Sequence, residues 1–163
     1  MTLLRTHHLA IGYDRHTIGH HIDLNIECGT LICLLGTNGC GKSTLLRTLA
    51  GLQPALDGDI HINDRPIGTF TPDRLARQLA VVLTERPDNT HLSVHDIVAL
   101  GRYPYTGRLG ALTDADHQAI NLALQHVNLE HYAQRKVNTL SDGEAQRTMI
   151  ARALAQDTRS EEH

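Results

Sequence analysis

The segment Gly36-Thr37-Asn38-Gly39-Cys40-Gly41-Lys42-Ser43-Thr44 carries the densest chemistry in the chain. It fits the pattern G-x-x-x-x-G-K-[ST], whose residue types suit one task, the cradling of a phosphate chain. Such a loop must turn tightly and aim backbone N–H groups inward, and glycine reaches the required dihedrals without a Cβ clash. A helix beginning near Lys42 adds its positive end to the anion site. Lys42 then reaches the terminal phosphates, and the Ser43 hydroxyl offers a ligand to Mg²⁺. Ser141-x-x-Glu144, further along, is a capping box that opens another helix.

These groups need particular elements to hold them. Leu31-Ile32-Cys33-Leu34-Leu35, a continuous apolar run before the loop, is expected to be a strand buried on both faces. The helix after the loop runs from Lys42 to Ala50, with Leu45, Leu46 and Leu49 at helical spacing and Gly51 at its C-terminal cap. Leu3 to Ile11 and Gly58 to Ile62 read as strands, the latter closed by Asn63-Asp64, and Ile22, Leu24 and Ile26 alternate with polar residues. Pro72 to Arg77 suggests a short helix, and Leu79 to Leu83 a second buried strand. From Ser93 onward the signals are helical. Ser93-x-x-Asp96 opens a helix to Leu100, ended by Gly101, and Thr113-x-x-Asp116 opens one with Ile120, Leu122, Ala123, Val127 and Leu129 inward. The Ser141 helix is expected to bury Met149, Ile150, Ala153 and Leu154.

Composition narrows the setting. The chain has 163 residues, 40% of them hydrophobic, with no Trp, one Phe and four Tyr, so its core must be aliphatic. A net charge of −3 does not suit a general nucleic-acid binder. No apolar run is long enough to span a bilayer, and no signal peptide is visible, so a cytoplasmic location is expected. Cys28, Cys33 and Cys40 have neither paired nor metal-ligand spacing. Of the 12 histidines, His7-His8 and His20-His21 form adjacent pairs, expected on opposite faces of a strand.

Several families share the phosphate loop, and a second motif separates them. Leu140-Ser141-Asp142-Gly143-Glu144-Ala145-Gln146-Arg147 resembles the L-S-G-G-Q/E signature of ATP-binding cassette proteins, and Met149-Ile150-Ala151-Arg152-Ala153-Leu154-Ala155 resembles their signature helix. Leu100-Gly101-Arg102-Tyr103-Pro104-Tyr105 is similar to the cassette subunits of iron-siderophore, haem and cobalamin importers. The resemblance implies an α/β P-loop NTPase core with an antiparallel β subregion and a helical subdomain. The expected boundaries are a core over 1–90, a helical subdomain over about 91–142 and a signature helix over 141–157. It implies ATP and Mg²⁺ held by Gly36, Asn38, Gly39, Cys40, Gly41, Lys42, Ser43 and Thr44, with Tyr13 stacked on adenine. It also implies a second cassette subunit paired head to tail, whose Ser141, Asp142, Gly143 and Glu144 complete the site in trans. The remaining implied partners are transmembrane permease subunits, contacted near Thr84 to Tyr105 from the inner face of the membrane.

The sequence departs from the pattern in places. Thr84 stands where the family usually has a Gln that touches Mg²⁺ and the attacking water, and Asp142 replaces the usual signature Gly. After the signature helix the family has an apolar strand ending in Asp, then a catalytic Glu and a switch His. The segment Gln156-Asp157-Thr158-Arg159-Ser160-Glu161-Glu162-His163 resembles none of these. The expectation is a cassette lacking its C-terminal strands, its last five residues foreign to the family. The leading reading is the energy-coupling subunit of an importer, and the alternative is a nucleotide-binding fragment without turnover. This chain by itself is expected to release no phosphate above background. In-line attack needs the missing positioning and charge balance. A soluble cassette ATPase acting on DNA or ribosomes is a weaker reading, since no second cassette, coiled-coil insertion or basic patch is present.

Overall fold

Strand β1 (Thr2–Tyr13) organises the first part of the chain by pairing antiparallel with β2 (His16–Ile22), β3 (Asn25–Glu27) and β4 (Asp57–Ile62), and β4 pairs in turn with β5 (Arg65–Pro66). The computed structural model describes residues 2–14, 16–82, 91–107 and 110–158. The chain divides into two units, Met1–Thr71 and Pro72–His163.

In the first unit the buried side of β1 runs Leu4, Thr6 and then Leu9, Ile11. The parity changes at His8, whose φ of 46° places a left-handed residue inside the strand, and the register with β4 slips between His7 and Ala10. A bulge of this kind turns one side chain out of the two-residue alternation. The adjacent histidines therefore do not face opposite sides. The His7 and His8 rings lie 4.3 Å apart and the His20 and His21 rings 5.0 Å apart, His21 being left-handed as well, with φ 54°. Asn63 and Asp64, with φ of 48° and 61°, form the two-residue turn between β4 and β5, the twist such hairpins favour. Helix α1 (Lys42–Leu49) ends where expected: the Gly51 amide donates to Thr48 O and the Leu52 amide to Arg47 O, the paired bonds of a left-handed cap.

The run Leu31–Leu35 departs most from expectation. It forms no strand, and Leu31 and Leu35 are 92% and 88% exposed. An apolar sequence is only half of a strand; its backbone donors and acceptors need a neighbour. Among the described residues no strand lies beside it. Each exposed leucine forgoes about 1.5–3 kcal/mol of burial free energy.

The second unit is helical: α2 (Pro72–Gln78), α3 (Val94–Ala99), a 3₁₀ turn over Leu100–Tyr105, α4 (Asp114–His126) and α5 (Asp142–Ala155). α3, α4 and α5 each begin with a closed capping box, at Ser93/Asp96, Thr113/Asp116 and Ser141/Glu144. Their core gathers Val94, Ile97, Val98, Ile120, Ala123, Leu124, Val127, Leu129, Met149 and Ala151. Leu122 is 54% exposed and Leu124 is buried in its place. On α5 the buried side is Ala145, Thr148, Met149, Ala151 and Ala155, while Ile150 and Leu154 stay outside. Two apolar sides exist on this helix, and the small-residue side allows the closer approach to α3 and α4. The large residues it leaves out line an open groove with Ala80, Val82 and Leu122. Leu79–Val82 forms no strand, for the same lack of a partner, and Leu83 and Thr84 lie outside the described residues.

Gly101 does not end α3 with a left-handed cap. The helix tightens into the 3₁₀ turn, and a Cβ on Gly101 would fall on the carbonyl oxygen of Arg152 and 3.3 Å from the Ala155 side chain. We expect Gly101→Ala to lower stability by roughly 1–3 kcal/mol through forced separation of the turn from α5, read as an earlier midpoint in urea unfolding.

Candidate functional site

The phosphate-loop sequence lies at the N-terminus of α1, and three features of its geometry suit an anion. Gly41 caps the helix with φ 95°, there is no side-chain cap, and no acidic residue sits in the first turn. The first amides of α1 are thus left without side-chain acceptors at the positive end of the helix. Gly41 also has Ile18 Cγ2 2.5 Å from where a Cβ would stand, so position 41 excludes other residues on both conformation and space. The third feature is Lys42. Its Nζ donates to Gly36 O at 2.9 Å and to Thr37 O at 2.6 Å, and lies 3.8 Å from Cys40 Sγ. The ammonium is folded over its own loop, and Cys40 N–H donates to Thr37 O at 3.4 Å, which closes the turn. Ser43 is exposed.

Tyr13 and the loop are brought together in a way the sequence did not announce. Thr44 is buried, and its Oγ1 donates to Tyr13 Oη at 3.3 Å. The Tyr13 ring remains 51% exposed. A hydroxyl tied to α1 and an open ring face leave the aromatic surface available for stacking. Asn38 and Gly39 are exposed on the loop, with Gly39 at φ 81°. Residue types and spacing pointed to the loop, and the family resemblance alone to Tyr13. The Thr44 hydroxyl that joins them has no local signature.

The second unit holds the other motif. Ser141 caps α5. Its hydroxyl accepts from the Glu144 amide at 3.4 Å and donates to Glu144 Oε2 at 2.8 Å, while Oε2 also accepts from the Ser141 amide at 2.7 Å. The Ser141 backbone first, then its hydroxyl, hold the Glu144 carboxyl below its ordinary value, with Tyr132 and Arg135 assisting and desolvation opposing. Asp142, Gly143 and Ser141 are exposed, so this helix start presents its surface to whatever approaches. We expect Ser141→Ala to cost about 1 kcal/mol of helical-unit stability through the lost cap, measured by urea unfolding, with Ser141→Thr close to wild type. Thr84, expected near Mg²⁺, falls outside the described residues. Among the described residues no helix is long and apolar enough to cross a membrane.

Comparison with known proteins adds to this geometry. Residues 20–159 match the ABC transporter family profile. The chain is 35% identical over 158 residues to the iron(3+)-hydroxamate import ATP-binding protein FhuC of Bacillus subtilis, covering 97% of this chain and 59% of that protein. It is 39% identical over 162 residues to the hemin import ATP-binding protein HmuV of Burkholderia lata, covering 94% and 59%. Among solved structures, a metal-chelate type ABC transporter in an inward-facing conformation superposes with a TM-score of 0.79 at 29% identity, over 96% of this chain and 56% of that one. The chain spans 53% to 60% of the length of the curated relatives it matches.

Proposed function

Because this chain belongs to the ABC transporter family, its residues can be assigned roles in a cassette, and we propose that it is the ATP-binding, energy-coupling part of an importer for iron-siderophore or haem cargo. The observation that carries this reading is the delivery of Lys42 and two left-handed glycines onto the uncapped start of α1. Gly36, Asn38, Gly39, Cys40, Gly41, Lys42, Ser43 and Thr44 would hold the phosphates, and Tyr13 the base. The Ser43 hydroxyl, exposed beside Lys42, suits Mg²⁺, a hard cation that takes few protein oxygens and otherwise phosphate and water. Mg²⁺ bridges phosphate oxygens and offsets their charge. Lys42 supplies the fixed positive charge, and α1 the oriented amides.

The signature end of α5 supports assembly with a second copy. The α5 start exposes Ser141 and Gly143, but its capping box engages the Ser141 hydroxyl and Glu144, so a phosphate there requires that box to open. Paired head to tail, each copy would close its partner's ATP between loop and signature. Asp142 adds negative charge at that start, so it must point away from the phosphates for closure. Permease subunits at the inner face of the membrane are the remaining partners, with the segment around Thr84 to Tyr105 as the contact. The relatives named for iron(3+)-hydroxamate and hemin import motivate the cargo class.

Uptake measurements test the cargo. Cells whose own gene carries Lys42→Ala should lose most uptake of labelled ferric siderophore or haem, and a second copy of the unaltered gene should restore it. Unchanged uptake of both cargoes would sink the importer assignment. Phosphate release from the purified chain, with and without Lys42→Ala, separates binding alone from turnover.

A further inference from the structure

We propose that the imidazoles of His8, His20 and His21, backed by Asp23, form an open binding site for a borderline transition-metal dication such as Zn²⁺ or Ni²⁺. The inference rests on the first unit alone and is independent of the importer assignment.

The rings form a continuous row. His7 and His8 lie 4.3 Å apart between centroids, His8 and His21 5.7 Å, and His20 and His21 5.0 Å, the last two pairs nearly perpendicular at 88° and 89°. All four side chains are exposed, so their ring nitrogens are within reach of a solvated ion. Two neighbouring strands must cooperate to make this row, and each does so by an unusual conformation: His8 in β1 has φ 46° and His21 in β2 has φ 54°. Side-chain-bearing residues seldom sit there, and where they do the surrounding structure holds them for a reason. Without these two residues, strand alternation would send His7 and His8, or His20 and His21, to opposite faces.

Asp23 completes the arrangement. Its Oδ1 accepts from the His8 amide at 2.6 Å and its Oδ2 lies 3.8 Å from His8 Nδ1. At 3.8 Å the carboxylate is too far to hydrogen-bond Nδ1, but its negative charge beside the row of rings attracts a dication. Spacing fits as well. With metal–nitrogen bonds of about 2.0–2.1 Å and tetrahedral angles, two imidazoles on one ion have ring centres roughly 5 Å apart. The His20–His21 separation of 5.0 Å matches that value and the His8–His21 separation of 5.7 Å exceeds it, so His21 is the shared ligand toward which the His8 ring must swing. Among the described residues no three donor groups already converge on one point. The ion therefore gathers the rings by small side-chain rotations, with water in the remaining positions. Imidazole donors select Zn²⁺, Ni²⁺ or Cu²⁺ over Mg²⁺ and Ca²⁺, which also separates this site from the nucleotide's cation.

Calorimetric titration of the full chain, carrying no affinity tag, with ZnCl₂ in excess Mg²⁺ is the test. One saturable site is expected, weakened more than about tenfold in His21→Asn and in His8→Asn. Asparagine tolerates the left-handed conformation, so these variants keep the strand geometry while removing the imidazole. His131→Ala, in the other unit, should bind as wild type. In parallel, Zn²⁺ should shift the imidazole NMR signals of His8, His20 and His21 and leave that of His131. Binding that survives the double His8→Asn/His21→Asn change, that Mg²⁺ displaces, or that is absent from the wild-type chain overturns the proposal.

Discussion

Replacing Lys42 with alanine should weaken ATP binding by at least roughly 30-fold, since removing one partner of a desolvated charged pair costs about 2–5 kcal/mol and each 1.4 kcal/mol is tenfold. Two effects combine at this side chain. Its ammonium is the only cation within Gly36–Thr44, and in the structure it bonds the Gly36 and Thr37 carbonyls. Alanine thus removes both the charge and the clasp that shapes the loop. Lys42→Arg separates these. Arginine keeps a positive charge but is a planar fork rather than a compact point, so it should recover part of the affinity and not all of it. Fluorescent-nucleotide titration reads the result, and circular dichroism checks that the unit is intact. An unchanged affinity in Lys42→Ala would remove the loop from the binding site.

The second large effect is expected at Arg102. This residue is 7% exposed, and its Nε donates to Asp116 Oδ1 at 2.7 Å while a terminal nitrogen donates to Ala155 O at 2.9 Å. Its guanidinium carbon stands 4.0 Å from the centroid of the Tyr105 ring, and Tyr105 Oη donates to Asp157 O at 2.9 Å. The Gly-Arg-Tyr-Pro-Tyr segment, read from sequence only as a family mark, is here the fastening between the 3₁₀ turn and the end of α5. Arg102→Ala strands a buried carboxylate and a helix-end carbonyl, and should cost roughly 3–5 kcal/mol. Urea unfolding followed by far-UV circular dichroism measures it. Pairing the change with Asp116→Asn should recover part of the loss, because no unpaired charge is then buried.

Acid provides an independent reading of the same pair. Burial pushes the Asp116 carboxyl up, but the Thr113 hydroxyl and amide and the Arg102 guanidinium together outweigh it and bring the group to about 2. A carboxyl held below its ordinary value stabilises the fold while ionised. That contribution, about 2 kcal/mol, is complete above pH 4 and drains away as pH falls toward 2. In Arg102→Ala this acid-sensitive part should shrink, since one of the groups that depress Asp116 has gone.

How much of this was legible beforehand depends on how local each feature is. The capping boxes at Ser93, Thr113 and Ser141 were readable because cap and acceptor lie three residues apart. The glycine-rich turn into α1 was readable for the same reason: Gly41 caps the helix and Lys42 opens it. Leu31–Leu35 was misread because strand formation depends on a neighbour that a local apolar run cannot report. Adjacent histidines were misplaced because a bulge, with no local signal at His8, breaks alternation. Ile150 and Leu154 read as inward because large side chains suggest core, whereas α5 buries its alanines with Thr148 and Met149 instead. The Arg102–Asp116 pair joins an element end to a cap in another helix, so only tertiary structure reveals it.

The three capping boxes bear on time as well as on energy. Each fixes where a helix begins through bonds between residues three apart, which form without closing any long loop. Strand β1, by contrast, must find β4 with Leu4 opposite Ile62, across most of the first unit. Sequence-local contacts form faster than distant pairings. The helical unit should therefore be the first part of the chain to take shape when folding starts, with the sheet, and the phosphate loop beside it, following later.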